Sequence, residues 1–490
     1  DTTGTPTNLT SRKIYSGGLD ASEKDTFTLR LWLNPAVNGD IGGQVFKVKL
    51  RIEVNQQIPT PVADKLLAGV GNNGKIDTTD SEQTFITGTN PNNYIWYSGK
   101  LWRAVSIDPS DNSVKLVTQW NISAVPYNAD GNTAFKGSYM EQWLNDTSVD
   151  GFLGNLREPE KFIKTDSVWN ATMTTETTKP EKTTVVTDAV GLLNMYEYTM
   201  SYKNATDETG YLNNGLFWWT LTPYSTSDVS RVYNDGNSEH NSPTYSFGSR
   251  PSINLKSAVK IIDGDGTIDN PYRLQGDNDS PTGTMLSTRY SGEYISFGIG
   301  ENNLYRIVSH ENGTGTKITS AISLKDSGNY KTMSFGSNVT FSKDNIIGTF
   351  LNGDYLTSGT YLTSDQVNMI EDNTTWYLGT VGDVANYKLA KYQDATGSNL
   401  TTSTTIAKIG LLRLGELMAG QFDKYGNNTT YCTLTPYSTS DVRSVYKRCT
   451  GSNFSPTNSF GPRPSMNLKS TVKIVSGTGT KSSPFVLSGN

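Results

Sequence analysis

The sequence predicts an α+β, β-rich chain, with an N-terminal antiparallel β segment over residues 1–57 and two tandem modules over 58–278 and 279–490. Three observations predict it. The passage Leu221–Leu274 aligns with Leu434–Leu487 without a gap at a constant offset of 213, with 32 of 54 positions identical. Apolar and polar residues alternate with period two near the N-terminus, the mark of half-buried strands. Only 18% of the residues are charged, beside abundant Gly and Tyr, a mixture that suits β-rich extracellular proteins better than helical cytosolic enzymes. At 490 residues the chain is also too long for a single core.

The strands of the first segment are Phe27–Asn34 and Val45–Asn55, separated by a Gly-rich loop and followed by the Pro-bearing linker Gln56–Val62. Three or four strands in under sixty residues make one open sheet with bare edges. Such a sheet either packs on the following module or is completed by a strand from another molecule, which would make residues 1–57 a self-assembly or attachment segment.

Within the modules, Leu101–Ser106 and its counterpart Leu304–Ser309 read as strands, and Glu141–Asn145 answers Gly348–Asn352 as a short helix. Thr187–Met195 answers Thr405–Leu414. Apolar residues there recur at three- and four-residue spacing behind Thr187 or Asp188 as cap, which predicts a second helix. Each copy ends in a strand, at Val259–Ile262 and Val472–Val475.

The repeat consists of a fixed frame around a changeable insert. The frame holds Pro223, Tyr224, Asp228 and Arg250 in one copy and Pro436, Tyr437, Asp441 and Arg463 in the other. The arginines are expected to tie backbone carbonyls together, with Asp228 and Asp441 as partners. Between them, Asn234–Asn241 differs from Lys447–Phe454 at every position. These inserts are therefore expected to be exposed, as drifting loops or as ligand-reading surfaces. On the second reading Asn234, Asp235, Asn237, Glu239 and His240, with Lys447, Arg448, Asn453 and Phe454, would touch the ligand.

Other candidates fail to appear in both copies. Cys432 and Cys449 are either one disulfide closing a short loop or two unpaired thiols, and their counterparts are Trp219 and Gly236. Asp263, Asp265 and Asp269 form a weak calcium candidate, because the second copy keeps the glycines of that turn and loses the acids. Glu197 and Glu416 occupy nearly matching positions and are expected to be solvated. No HExxH, CxxC, GxSxG or phosphate loop occurs, so catalysis and cofactors are not expected. A net charge of −5 offers no footprint for nucleic acid, and no apolar run has the length of a membrane span.

The run Trp218-Trp219-Thr220-Leu221-Thr222-Pro223-Tyr224-Ser225, the variable insert and Phe247-Gly248-Ser249-Arg250-Pro251-Ser252 together resemble an uncharacterised domain of surface proteins in gut Firmicutes and Mollicutes. The Gly-x-Arg-Pro ending is similar to the C-type-lectin-like core of formylglycine-generating-enzyme relatives, which implies two C-type-lectin-like modules. The catalytic cysteines of those enzymes have no counterpart in the first copy, so the activity is not implied. The N-terminal strands resemble the last strands of TasA- or camelysin-like fibre subunits. Together these imply an extracellular, non-catalytic structural protein of a bacterial surface, such as a fibre or coat subunit, and the start at Asp1 without Met is what an N-terminally processed product would show. The alternative is an adhesin that binds a surface glycan or a protein through the variable inserts.

Overall fold

The computed structural model describes residues 58–202, 210–277, 280–311, 315–378, 404–420 and 430–489. The strands expected in residues 1–57, and the self-assembly attributed to them, lie outside the described residues.

Each copy builds the same sheet. In the first, Lys260–Asp263, Tyr272–Leu274, Tyr94–Tyr97, Lys100–Ile107, Val114–Thr118 and Ser252–Leu255 lie side by side. In the second, Lys473–Ser476, Phe485–Ser488, Tyr294–Ser296, Leu304–Glu311, Gly315–Ser320 and Ser465–Lys469 follow the same order. The C-terminal strand of each copy pairs in parallel with an early strand, Tyr272 opposite Ile95 and Phe485 opposite Ile295. Even the irregularities repeat: the register slips between Ala104 and Ser106 and between Ile307 and Ser309, one extra residue that bends the strand at the same place. The fold is thus β-rich α+β, with short helices at the sheet margins.

The local sequence explains these elements. Tyr94–Tyr97 reads Tyr-Ile-Trp-Tyr and is buried on both faces, which aromatic and β-branched side chains fill well. It turns into Lys100–Ile107 through Ser98 and Gly99, both with positive φ (50° and 71°), the twist that a two-residue hairpin needs. The helix Tyr139–Leu144 starts where Ser138 accepts a hydrogen bond from the Glu141 amide. Its counterpart Ile346–Asn352 starts at Asn345 in the same way.

The second helix expected at Thr187–Met195 forms later in the chain. Val185–Asp188 is a strand paired with Ser167–Asn170, Val190–Gly191 joins the main sheet, and the helix is Met195–Met200. Asn194 caps it in a reciprocal box with Glu197. In the second copy Thr404–Ala407 is likewise a strand, paired with Thr374–Tyr377. The expectation failed because Ala189 to Leu193 is buried on every side, and a fully buried run shows no period that separates strand from helix.

A third sheet joins the copies. Ser238–Asn241, Val229–Val232, Trp218–Pro223 and Ser246–Ser249 of the first continue into Thr450–Phe454, Val442–Tyr446 and Tyr431–Pro436 of the second, with Ser123–Pro126 also paired to Ser246–Ser249. Leu412, Leu417, Met418 and Ala419 of the second copy pack in the hydrophobic core of the first. Residues 57–490 therefore form one compact unit, although the repeat divides them in sequence at 278/279.

Candidate ligand cleft and module seam

The frame residues work as a scaffold. Arg250 is fully buried; its Nε donates to the Thr118 carbonyl at 2.6 Å, its Nη1 donates to the Leu212 carbonyl, and the guanidinium lies 4.8 Å from the Trp218 ring centre. Arg463 repeats this with the carbonyls of Ser320 (2.9 Å), Met418 (2.9 Å) and Gly420 (3.3 Å), above Tyr431. Asp228 and Asp441 are not their partners. Each instead builds the turn after Pro223-Tyr224 or Pro436-Tyr437, its amide donating to the hydroxyl of Ser225 or Ser438 at 3.1 Å and its carbonyl accepting from the tyrosine amide at 2.9 Å.

The two inserts have different fates. Asn234–Asn241 makes a turn and then the exposed edge strand Ser238–Asn241, with Asp235 bonded to Asn237. Glu239 stands exposed, while His240 stacks on Tyr224 at 3.9 Å and approaches Asp228 at 3.8 Å, so it is tied to the frame. Lys447–Phe454 is not a displayed loop. Thr450 pairs with Phe247 of the first copy, and the Arg448 carbonyl accepts the Phe217 amide at 3.0 Å. Gly451 lies so close to Ser246 that an added Cβ would be 2.5 Å from the serine Cβ. Asn453 stays in the strand opposite Arg443, and Phe454 packs beside Phe460; Lys447 lies over Tyr446. The insert of the second copy lies in the seam between the copies.

Cys432 and Cys449 are buried thiols that are not joined in a disulfide. They belong to different apolar clusters: Cys432 to the core of the second copy, Cys449 to a small cluster at the seam with Ala124 and Leu216. Burial pushes the Cys432 thiol up. Asp263 forms an ion pair with Arg273 and Asp265 accepts the Thr267 amide and hydroxyl, so both acids already hold their turn. Asp269 stands exposed beside them. Among the described residues no group of His, Cys, Asp or Glu is placed to hold a metal ion.

The sequence reading missed one constellation that does repeat. Lys115 and Glu197 form a buried ion pair, with the lysine 5.0 Å from the Trp169 ring centre; Lys317 and Glu416 pair at 2.7 Å with the lysine 5.3 Å from Trp376. Glu197 accepts the Asn194 amide at 3.0 Å with its other oxygen, as Glu416 accepts that of Arg413 at 2.9 Å. These carboxylates are therefore buried and paired, contrary to the expectation of solvated ones. Burial raises Glu416, but Lys317 and Arg413 outweigh it and hold the carboxyl below its usual range. The available signal was a lone lysine inside an otherwise uncharged strand in both copies, Val-Lys-Leu-Val-Thr and Thr-Lys-Ile-Thr-Ser.

In the first copy this pair lies at the floor of a cleft of about 430 Å³. One wall is the hairpin Ser167–Asn170 and Val185–Asp188, which presents Val168 and Val185 half-exposed; the other is formed by Ser81–Gln83 and the turn Asp108–Ser113. A strap after the first hairpin strand is clasped across the end of the cleft, where Lys179 meets Asp80 at 2.7 Å and Glu82 at 3.0 Å, and Lys182 meets Glu82 at 3.1 Å. Burial raises Asp80, but hydrogen bonds from Lys179, the Glu82 amide and the Tyr196 hydroxyl outweigh it and hold the carboxyl below its usual range. None of the candidate ligand residues in Asn234–Asn241 lines this cleft.

Residues 111–257 are similar to a family model described as a domain of unknown function (DUF6273). The matched stretch carries Lys115, Trp169, Glu197, the first insert and Arg250, and so covers the cleft floor and the frame of the first copy. Neither a curated protein nor a solved structure matches the chain.

Proposed function

We propose that the chain is an extracellular, non-catalytic surface protein whose joined modules form a rigid body presenting a ligand cleft. The observation that supports this best is the cleft of about 430 Å³ in the first copy, within the ~300–1,000 Å³ of ligand sites. Its buried charges are paired in a constellation that also occurs in the second copy, which favours a structural role for them over acid–base chemistry. The adhesin reading thus gains a site, and that site is the cleft in place of the variable inserts. Labelling intact producing cells with an antibody against the second module tests the surface reading. Labelling without lysis is expected; labelling that needs lysis would overturn it.

A second reading, a structural subunit of a fibre or coat, is favoured by the eight-stranded sheet that runs unbroken through the seam. Strands bonded side by side carry load between the copies through backbone hydrogen bonds. Filaments in electron micrographs of the purified full chain, lost on deletion of residues 1–57, are the result that this reading expects.

A further inference from the structure

Where the insert of the second copy crosses the sheet of the first, cations gather without counter-ions. Arg231 lies on the strand Val229–Val232 and is only 7% exposed, its guanidinium 4.4 Å from the ring centre of Phe247, 5.3 Å from that of Tyr233 and 5.4 Å from that of Phe217. Its Nε and Nη1 are buried without a hydrogen-bond partner. The ring faces offset part of the lost hydration, but they cancel none of the charge. Glu239 stands directly opposite across the strand pair, yet its side chain is exposed and forms no ion pair with Arg231. A guanidinium held in this way keeps an uncompensated positive field, stronger for lying out of water.

The second insert brings two more cations to the same place. Its backbone is committed to the seam, where the Arg448 carbonyl accepts the Phe217 amide at 3.0 Å. The side chains of Lys447 and Arg448 nevertheless stand exposed, and neither is ion-paired among the described residues. Asp235 of the first insert is occupied by the amide and side-chain nitrogen of Asn237, each at 2.9 Å. Tyr245, 57% exposed and stacked on Phe247, adds an open ring face. Neither copy holds this set alone. At the offset of 213, the counterparts of Arg231, Phe217 and Tyr245 are Ser444, Thr430 and Asn458, and those of Lys447 and Arg448 are Asn234 and Asp235. Joining the copies assembles the set.

We infer that the seam carries a second site, an anion-binding surface on which an acidic polysaccharide docks. Lys447 and Arg448 take its carboxylates, Arg231 adds its field from beneath the rings, and Phe217, Tyr233 and Tyr245 pack on the C–H faces of the sugars. A sugar acid offers both features that the surface matches, oxyanions and apolar ring faces. A net charge of −5 on the whole chain disfavours a long, densely charged nucleic acid. None of these residues lines the cleft, so the two sites are separable.

The test is isothermal titration of the full chain with short oligomers of galacturonate, glucuronate and mannuronate. A neutral galactose oligomer of the same length, a single-stranded oligonucleotide and an acidic peptide serve as controls. At least one uronate oligomer is expected to bind more tightly than every control, with an affinity that falls as salt is raised. Lys447→Ala and Arg448→Ala are each expected to weaken it roughly threefold at an unchanged melting temperature, and Glu239→Gln to strengthen it by a similar factor. Arg231→Met is expected to weaken it further than either, and Arg231→Lys to restore most of the loss. Should Arg231→Met not fold, the three exposed variants still decide, because a merely structural Arg231 predicts no gain in Glu239→Gln. Asp166→Ala in the cleft is expected to leave this binding unchanged. No binding of any uronate oligomer, or binding insensitive to Lys447→Ala, Arg448→Ala and Glu239→Gln, would overturn the proposal. Tighter binding of the oligonucleotide, the peptide or the neutral sugar would overturn the acidic polysaccharide as the ligand.

Discussion

Gly191 and Gly410 show how closely the two copies follow one design. Each lies against the face of a buried tryptophan, Trp169 or Trp376, whose indole nitrogen donates at 2.9 Å to the carbonyl of Asp188 or Ala407. A Cβ added at Gly191 would come within 2.4 Å of the Trp169 ring, and one at Gly410 within 2.6 Å of Trp376. The ring cannot retreat without breaking its own hydrogen bond or disturbing the lysine that lies over its face. Gly191→Ala and Gly410→Ala are therefore each expected to destabilise by about 1–3 kcal/mol, the usual cost of overpacking, as read from urea unfolding. A neutral effect at both would show that the indole is free to shift. The pairs of residues that repeat were legible in the sequence, but their contacts were not, since nothing in the order of residues says that this glycine meets that tryptophan. The same gap hid the Lys115–Glu197 pair, which hydropathy alone assigns to solvent.

At the scale of elements, the strands at Leu101–Ser106 and Leu304–Ser309 were legible, while those inside the inserts, Ser238–Asn241 and Thr450–Phe454, were not. The helix assigned to Thr187–Met195 was not, because tertiary burial overrode a pattern that fits two structures. The hairpin turn Ser98-Gly99-Lys100 carries a role that only packing reveals: it inserts against Ser291–Glu293 of the second copy. Lys100 donates to the carbonyls of Ser98 (2.9 Å), Ser291 (2.8 Å) and Asn155 (3.4 Å), and Arg306 donates to the Gly99 carbonyl at 3.2 Å. Burial pulls Lys100 down from 10.5 to about 7, with Arg306 adding to the effect and Glu293 and Asp277 opposing it. Below pH 7 the lysine is charged in both folded and unfolded chains, and its burial costs stability. Between pH 7 and 10.5 the folded chain sheds the proton that the unfolded chain keeps, so this cost fades as pH rises. The melting temperature of the native chain, relative to that of Lys100→Met, is expected to rise by several degrees between pH 7 and 10. A difference that stays flat over that range would contradict a buried ammonium at the junction.

At the scale of the whole molecule, duplication was plain in the sequence and its consequence was not. An insert that differs at every position reads as dispensable, yet one of the two inserts joins the copies and the other, among the described residues, ends the sheet. Glu239 and His240 sit on that free edge, where charged and polar side chains discourage further pairing. Cys449 and Gly451 sit on the joined edge, where a small residue must fit beneath Ser246. The copies thus share a framework and differ at their inserts: the second lies in the seam, and the first forms an edge strand. Differential scanning calorimetry of two exchange variants tests this division most directly. Writing Asn-Asp-Gly-Asn-Ser-Glu-His-Asn into positions 447–454 is expected to lower the melting temperature sharply and split a single transition in two, because the side chain of Gly451→Ser alone would clash with Ser246 and force the seam apart. Writing the second insert into positions 234–241 is expected to leave the transition single and nearly unmoved. Equal, small effects of the two exchanges would contradict the account, since both inserts would then be free loops.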